Sequence, residues 1–137
     1  MSEAFLDTDV IIRFVAGDDP VKQAAAAVLF LQVQAETITL RAPDTVVADA
    51  VYVLSSSRLY RFPRQRIRAE LSTLLRLSHL RVHNRRLLLR ALDIYAATTL
   101  DFGDAMIVAT AERRGGGELY SYDRDFDTQP GVRRREP

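Results

Sequence analysis

Residues 4–20 read AFLDTDVIIRFVAGDDP, and the order of signals in that stretch sets the expectation for the whole chain. Ala4 to Asp7 suits a short strand. Val10, Ile11, Phe14 and Val15 then recur at helical spacing until Gly17-Asp18-Asp19-Pro20 breaks the pattern. Pro20 opens an Ala-rich helix to about Ala35, because its fixed φ and missing N–H suit a first helical position. Ile38 to Leu40 reads as a second strand, and Pro43 and Asp44 start a third helix through TVVADAVYVLSSS, so the order is β-α-α-β-α.

The alternation continues downstream. Pro63 begins the helix RQRIRAELSTLLRL, Leu80 to Val82 forms a short strand, and RRLLLRALDIYAATTL returns to helical spacing. Asp101 caps a last helix, FGDAMIVATAERR, which Gly115, Gly116 and Gly117 end. Glu118 to Tyr122 reads as the final strand, ahead of a polar, Arg-rich tail. Strands alternating with helices predict an α/β fold, a three-layer α-β-α sandwich around a parallel sheet of four or five strands. The whole of 1–137 is expected to form a single domain, since 137 residues with 47% apolar content can fill one core.

Composition narrows the chemistry. There is no Cys, which removes disulfides, thiolate zinc sites and cysteine nucleophiles. No apolar run is long enough to span a bilayer, and MSEAFLDTDV lacks the basic start and apolar stretch of a secretory signal, so a cytoplasmic protein without membrane association is expected. The net charge of +1 hides an uneven distribution. Arg58, Arg61, Arg64, Arg66, Arg68, Arg76, Arg81, Arg85, Arg86 and Arg90 face only Glu70 between them, whereas aspartates gather near both ends. Acidic centres beside a basic surface suit a phosphodiester substrate, although such arginines also serve simply to solvate helix faces.

Four aspartates stand in apolar sequence. Asp49 has Val46 and Val53 among its helical neighbours, Asp104 has Leu100, Ile107 and Val108, Asp7 follows Phe5 and Leu6, and Asp123 follows Leu119 and Tyr120. Burying an ionised carboxylate is costly unless something positive meets it, so these four point to one shared cation site. Sheets of this kind bind ligands beyond the carboxyl ends of their strands, where Asp7 and Asp123 fall. Carboxylates without thiolates select hard ions, with Mg²⁺ or Mn²⁺ the natural choice, and such an ion activates water against a phosphodiester. Asp9, Asp44, Asp101, Asp125 and Asp127 have ordinary capping or turn explanations as well.

Two other motifs fail on inspection. The run from Asp123 to Asp127 imitates a calcium loop, but Thr128 stands where that loop needs Gly and Arg134 where it needs Glu. His79 and His83 have the spacing of a metalloprotease pair, but Leu80 takes the place of its Glu.

The segments FLDTDVIIRFV, VVADAVYVL, LDFGDAMIVATA and LYSYDRDF together resemble, in order and spacing, the motifs of PIN-domain ribonucleases, and especially VapC-type toxins of type II toxin–antitoxin systems. The resemblance covers nearly the whole chain. It implies a Mg²⁺- or Mn²⁺-dependent endoribonuclease in which Asp7, Asp49, Asp104 and Asp123 are the catalytic, metal-holding acids, Asp7 and Asp104 most directly. Ser121, Asp101 and Asp9 become accessory residues. It further implies an RNA substrate, a cognate antitoxin and a homodimer, with the apolar helices near residues 24–33 and 46–54 as interfaces. Two departures stand out. Such toxins usually carry Glu where this chain has the shorter Asp49, and Asn where it has Asp9.

Two alternatives differ in class. One is a PIN-like RNA- or protein-binding module with weak or no catalysis. The other is a haloacid-dehalogenase-like phosphatase, which Asp7-Thr8-Asp9 imitates; Ile11 and the lone Lys22, far upstream of where that chemistry needs a lysine, count against it.

Overall fold

The computed structural model describes residues 3–115 and 117–137; the expected glycine stop at Gly116 lies outside the described residues. The chain divides into two compact units, residues 1–85 and 86–137.

In the first unit β1 (Ala4–Phe5) leads into α1 (Thr8–Ala16) and α2 (Pro20–Gln34), followed by β2 (Leu40–Ala42), α3 (Thr45–Ser55), α4 (Arg64–Leu75) and β3 (Leu80–Val82). The strands pair in the order β1-β2-β3, all parallel, with Ala4 opposite Leu40 and Leu40 opposite Leu80. Successive side chains leave a strand on opposite faces. One face therefore carries Leu40, Ala42 and Leu80, all buried, and the other carries Phe5, Arg41 and Arg81, all exposed.

Local signals explain most element ends. Asp19 accepts a hydrogen bond from the Lys22 N–H at 3.1 Å, capping α2 one residue before Pro20. Gly17 ends α1 with a φ of 70°, a conformation that costs a side-chain-bearing residue much more. Phe14 of α1 meets Phe30 of α2 with ring centroids 5.0 Å apart, and Ala26, Phe30 and Val33 bury one stripe of α2. The buried stripe of α3 is Val46, Val47, Ala50, Val51 and Leu54, and α3 packs against α1 and α4. Burying a side chain such as Leu54 stabilises the unit by about 1.5–3 kcal/mol.

In the second unit α5 (Arg85–Ala97), whose first residue still belongs to the first unit, and α6 (Phe102–Arg114) precede β4 (Glu118–Tyr120), a 3₁₀ turn over Arg124–Thr128 and β5 (Arg133–Arg135). β4 and β5 are parallel, with Leu119 opposite Arg134. Tyr95 of α5 stands edge-on to Phe102 of α6, and Arg90 of α5 makes a two-pronged bond to Glu112 of α6, both contacts at 2.9 Å.

Several expectations shift. The second strand begins at Leu40 rather than Ile38, because the chain leaves α2 through Glu36 at φ 62° and the Thr37 N–H returns to the Gln32 carbonyl. The helix after Pro63 stops at Leu75, where Leu77 turns back onto the Leu74 carbonyl. α5 stops at Ala97 rather than Leu100; Thr98 Oγ1 donates to the Ile94 carbonyl and accepts from the Leu100 N–H. The last strand ends at Tyr120, ahead of the turn at Asp123. The Arg-rich tail supplies a fifth strand, Arg133–Arg135, whose sequence carries no alternating apolar signal. A single sheet of four or five strands is not shown: among the described residues three strands pair in one sheet and two in another.

Candidate functional site

In the first unit, Asp7 follows β1 and starts α1. Its backbone is extended and its Oδ1 accepts the Thr8 N–H at 2.7 Å, so the residue has a capping role that its apolar context had concealed. Its carboxylate is exposed, at the positive end of the helix dipole. Asp9, in the first turn of α1, pairs with Arg13 at 3.5 Å, and Arg13 also reaches Asp18 at 3.7 Å. Asp18 in turn accepts the Tyr60 hydroxyl at 2.7 Å, and that bond raises the Tyr60 phenol above its ordinary range.

Asp49 corrects an expectation. Its apolar neighbours in sequence predict a costly burial, but the residue is exposed, beside exposed Ala48 and Tyr52. The phase of α3 explains this. The buried stripe takes the positions on either side of Asp49, and the carboxylate falls outside it.

In the second unit, Asp101 caps α6 by accepting the Asp104 N–H at 2.8 Å. Asp104 sits half-buried in the first turn of that helix. Its carboxyl is held above the usual aspartate range, first by burial and then by the negative charges of Asp101, Asp123 and Asp125. Asp123 caps the 3₁₀ turn through a 2.9 Å bond from the Asp125 N–H, and the Ser121 hydroxyl accepts the Asp123 N–H at 2.9 Å. Ser121 thus fixes the backbone that carries Asp123.

Asp125 is the acid that sequence reasoning set aside as a turn residue. Its spacing from Asp123 was visible, but only the tight 3₁₀ turn brings its charge to bear on Asp104. Tyr122, exposed between Ser121 and Asp123, was likewise not singled out. Among the described residues, no three acidic or histidine side chains stand close enough together to hold one metal ion.

Several of the ten arginines of residues 58–90 are engaged within their own unit. Arg66 lies over the Phe62 ring at 3.7 Å and pairs with Glu70, Arg81 pairs with Glu3, and Arg90 pairs with Glu112. The Arg85 guanidinium donates to the carbonyls of Leu77, Ser78 and Leu80. Much of this segment is therefore structural.

The PIN domain family matches residues 4–131, which run through both units and include every candidate acid. The chain belongs to the PIN-domain family. PIN domains are generally metal-dependent nucleases, they typically bind divalent ions, and those that are nucleases bind RNA. No curated protein matches the chain. Among the described residues no helix is long and apolar enough to cross a membrane.

The donor set of this PIN domain fits such an ion in kind. Every candidate ligand is a carboxylate oxygen, and beyond its burial the Asp104 carboxyl is raised by the neighbouring negative charges, a repulsion that a hard cation would relieve.

Proposed function

We propose that this PIN domain is a Mg²⁺- or Mn²⁺-dependent endoribonuclease, and that it acts as the toxin of a toxin–antitoxin pair. The observation that carries the nuclease reading is the half-buried Asp104 carboxyl, raised first by burial and then by the charges of Asp101, Asp123 and Asp125, in a chain that matches a nuclease family over residues 4–131. Asp7, Asp49, Asp104 and Asp123 are the proposed metal-holding and catalytic acids, and Asp101 and Ser121 position Asp104 and Asp123 through the bonds described above. Asp9 is an accessory acid, tied to Arg13. When bound, the ion supplies an activated water and charge stabilisation for hydrolysis of an RNA phosphodiester, giving a 5′-phosphate and a 3′-hydroxyl.

The finer readings belong to the same proposal: one domain built on a single parallel sheet of four or five strands between helical layers, acting in the cytoplasm. The antitoxin and homodimer readings are supported by exposed apolar residues on α2, namely Val21, Val28 and Leu31, with Tyr52 on α3. The exposed, shortened Asp49 supports a second reading, a PIN-like RNA-binding module with weak or no catalysis. Family membership removes support for the phosphatase.

The test is incubation of the protein with total cellular RNA in Mg²⁺, in Mn²⁺ and in EDTA, beside Asp7→Asn and Asp104→Asn, with the cut ends mapped. Discrete metal-dependent cuts lost in both variants are expected, together with growth arrest on expression of the wild type alone. RNA binding without cutting in either metal favours the second reading.

A further inference from the structure

The Ser121 N–H extends the β4-β5 ladder by one residue, bonding to the Arg135 carbonyl at 2.9 Å. The chain then leaves the sheet and enters the 3₁₀ turn, carrying Asp123 and Asp125 between Ser121 and Asp127. All of these residues, with Asp101 and Asp104, lie in the second unit. A 3₁₀ turn has poorer hydrogen-bond geometry than an α-helix, so its shape depends on what holds its ends.

One guanidinium holds both ends. Arg134 Nη1 donates to the Ser121 carbonyl at 3.1 Å, and Arg134 Nε and Nη2 donate to the two carboxylate oxygens of Asp127 at 2.9 and 3.2 Å. Between these anchors the Asp123 N–H bonds to Ser121 Oγ and the Asp125 N–H to Asp123 Oδ1. The planar fork of arginine spans the three acceptors at once, which the single point of charge of a lysine cannot do. Nη1 also meets Glu136 at 3.0 Å, outside the turn. The contact sorts the acids of the turn as well. Asp127 commits both oxygens to Arg134, and those bonds hold its carboxyl below the ordinary aspartate range, whereas Asp123 and Asp125 bring their charge to bear on Asp104.

We propose that Arg134 is a positioning residue for the metal-holding acids: by tying Ser121 to Asp127 it fixes the turn that presents Asp123 and Asp125 beside Asp104. It acts through the Ser121 carbonyl and the Asp127 carboxylate, not by touching ion or substrate. The proposal rests on the metal-dependent reading above. Groups that orient metal ligands typically change the affinity for the ion by about 10–100-fold when they are removed.

The test is calorimetric titration of the whole protein with Mn²⁺, without RNA and well below the melting temperature, beside a urea titration of each variant. Arg134→Lys keeps the charge and loses the fork, and Arg134→Gln loses both; each is expected to weaken Mn²⁺ binding about tenfold. The sign for Gln separates two roles, because a guanidinium acting only as a nearby positive charge would oppose the ion, and its removal would tighten binding. Asp127→Asn, which keeps one oxygen for the fork, weakens binding less and keeps the test decisive if the Arg134 variants do not fold. Glu136→Gln removes an equal charge from the same guanidinium outside the turn and leaves the affinity unchanged. Affinity that is tightened by Arg134→Gln, or unchanged in both Arg134 variants while urea stability falls, overturns the proposal. So does an equal loss in Asp127→Asn and Glu136→Gln. Binding that needs Asp104 but is indifferent to the Arg134 and Asp127 variants overturns this proposal alone. No Mn²⁺ binding by the wild type, or binding unaffected by Asp104→Asn, overturns the metal reading and this proposal with it.

Discussion

Asp101 Oδ1 accepts the backbone N–H of Asp104 at 2.8 Å, so the residue that starts α6 also fixes the turn from which the Asp104 carboxyl, held above the usual aspartate range by burial and by neighbouring charges, projects. The same contact caps the helix and brings a second negative charge to Asp104. These two roles separate by substitution.

Asp101→Asn keeps an oxygen for the Asp104 N–H and holds stability within a few tenths of a kcal/mol, whereas Asp101→Ala loses about 1 kcal/mol. Thermal melts of the two variants check this. RNA cleavage that falls with Asn as much as with Ala would assign Asp101 a role through its charge; cleavage kept by Asn and lost by Ala would assign it a positioning role.

Asp104→Asn removes a charge that Asp101, Asp123 and Asp125 oppose. The variant is expected to melt in EDTA at the wild-type temperature or above it, and to lose at least about a hundredfold in cleavage if Asp104 holds the ion. Mg²⁺ or Mn²⁺ should raise the melting temperature of the wild type and not of the variant, because only a ligand bound to the folded form shifts that equilibrium. A metal-induced shift of equal size in both would remove Asp104 from the ligand set.

The Arg90–Glu112 pair gives a pH dependence of known sign. The hydrogen bond from Arg90 holds the Glu112 carboxyl below its ordinary value of 4.5. A depressed folded-state value means that the pair's contribution is fully present above about pH 4.5 and is lost as pH falls through the lowered value. The Arg90 side chain is half exposed, so solvent screening limits the effect to below about 1 kcal/mol. Urea titrations of wild type and Glu112→Gln should differ by that much at pH 7 and converge toward pH 3.

Gly117 adopts a φ of 63°, and an added Cβ would press on the Gly131 carbonyl oxygen, where the Arg133 N–H also returns to the Gly117 carbonyl at 2.8 Å. Both strain and overlap oppose a side chain, and Gly117→Ala should cost more than about 2 kcal/mol. Amide exchange would show it, with protection lost at Leu119 and Arg134 before residues of the first unit. Gly115, also at positive φ but with open space around it, should show the smaller loss on substitution.

How much was legible beforehand follows from the range of each signal. Helix starts at Pro20 and Asp101, the stop at Gly17 and the strand at Leu80–Val82 were readable, because a cap, a ring-locked φ or a short apolar run acts within a few residues. The strand at Arg133–Arg135 was not, since its partner Glu118–Tyr120 is distant in sequence and its own residues are all arginines.

The candidate acids divide in the same way. The sequence by itself determined a PIN-family chain in which Asp7, Asp49, Asp104 and Asp123 stand in segments that resemble the family's motifs, because motif order and residue chemistry are properties of the chain. Only the tertiary structure decided that Asp49 is exposed, that Asp125 adds its charge to Asp104, and that Arg41 and Arg81 share Glu3. Burial depends on which side of a helix meets the core, and charge coupling on distances through space, and neither is fixed by spacing along the chain.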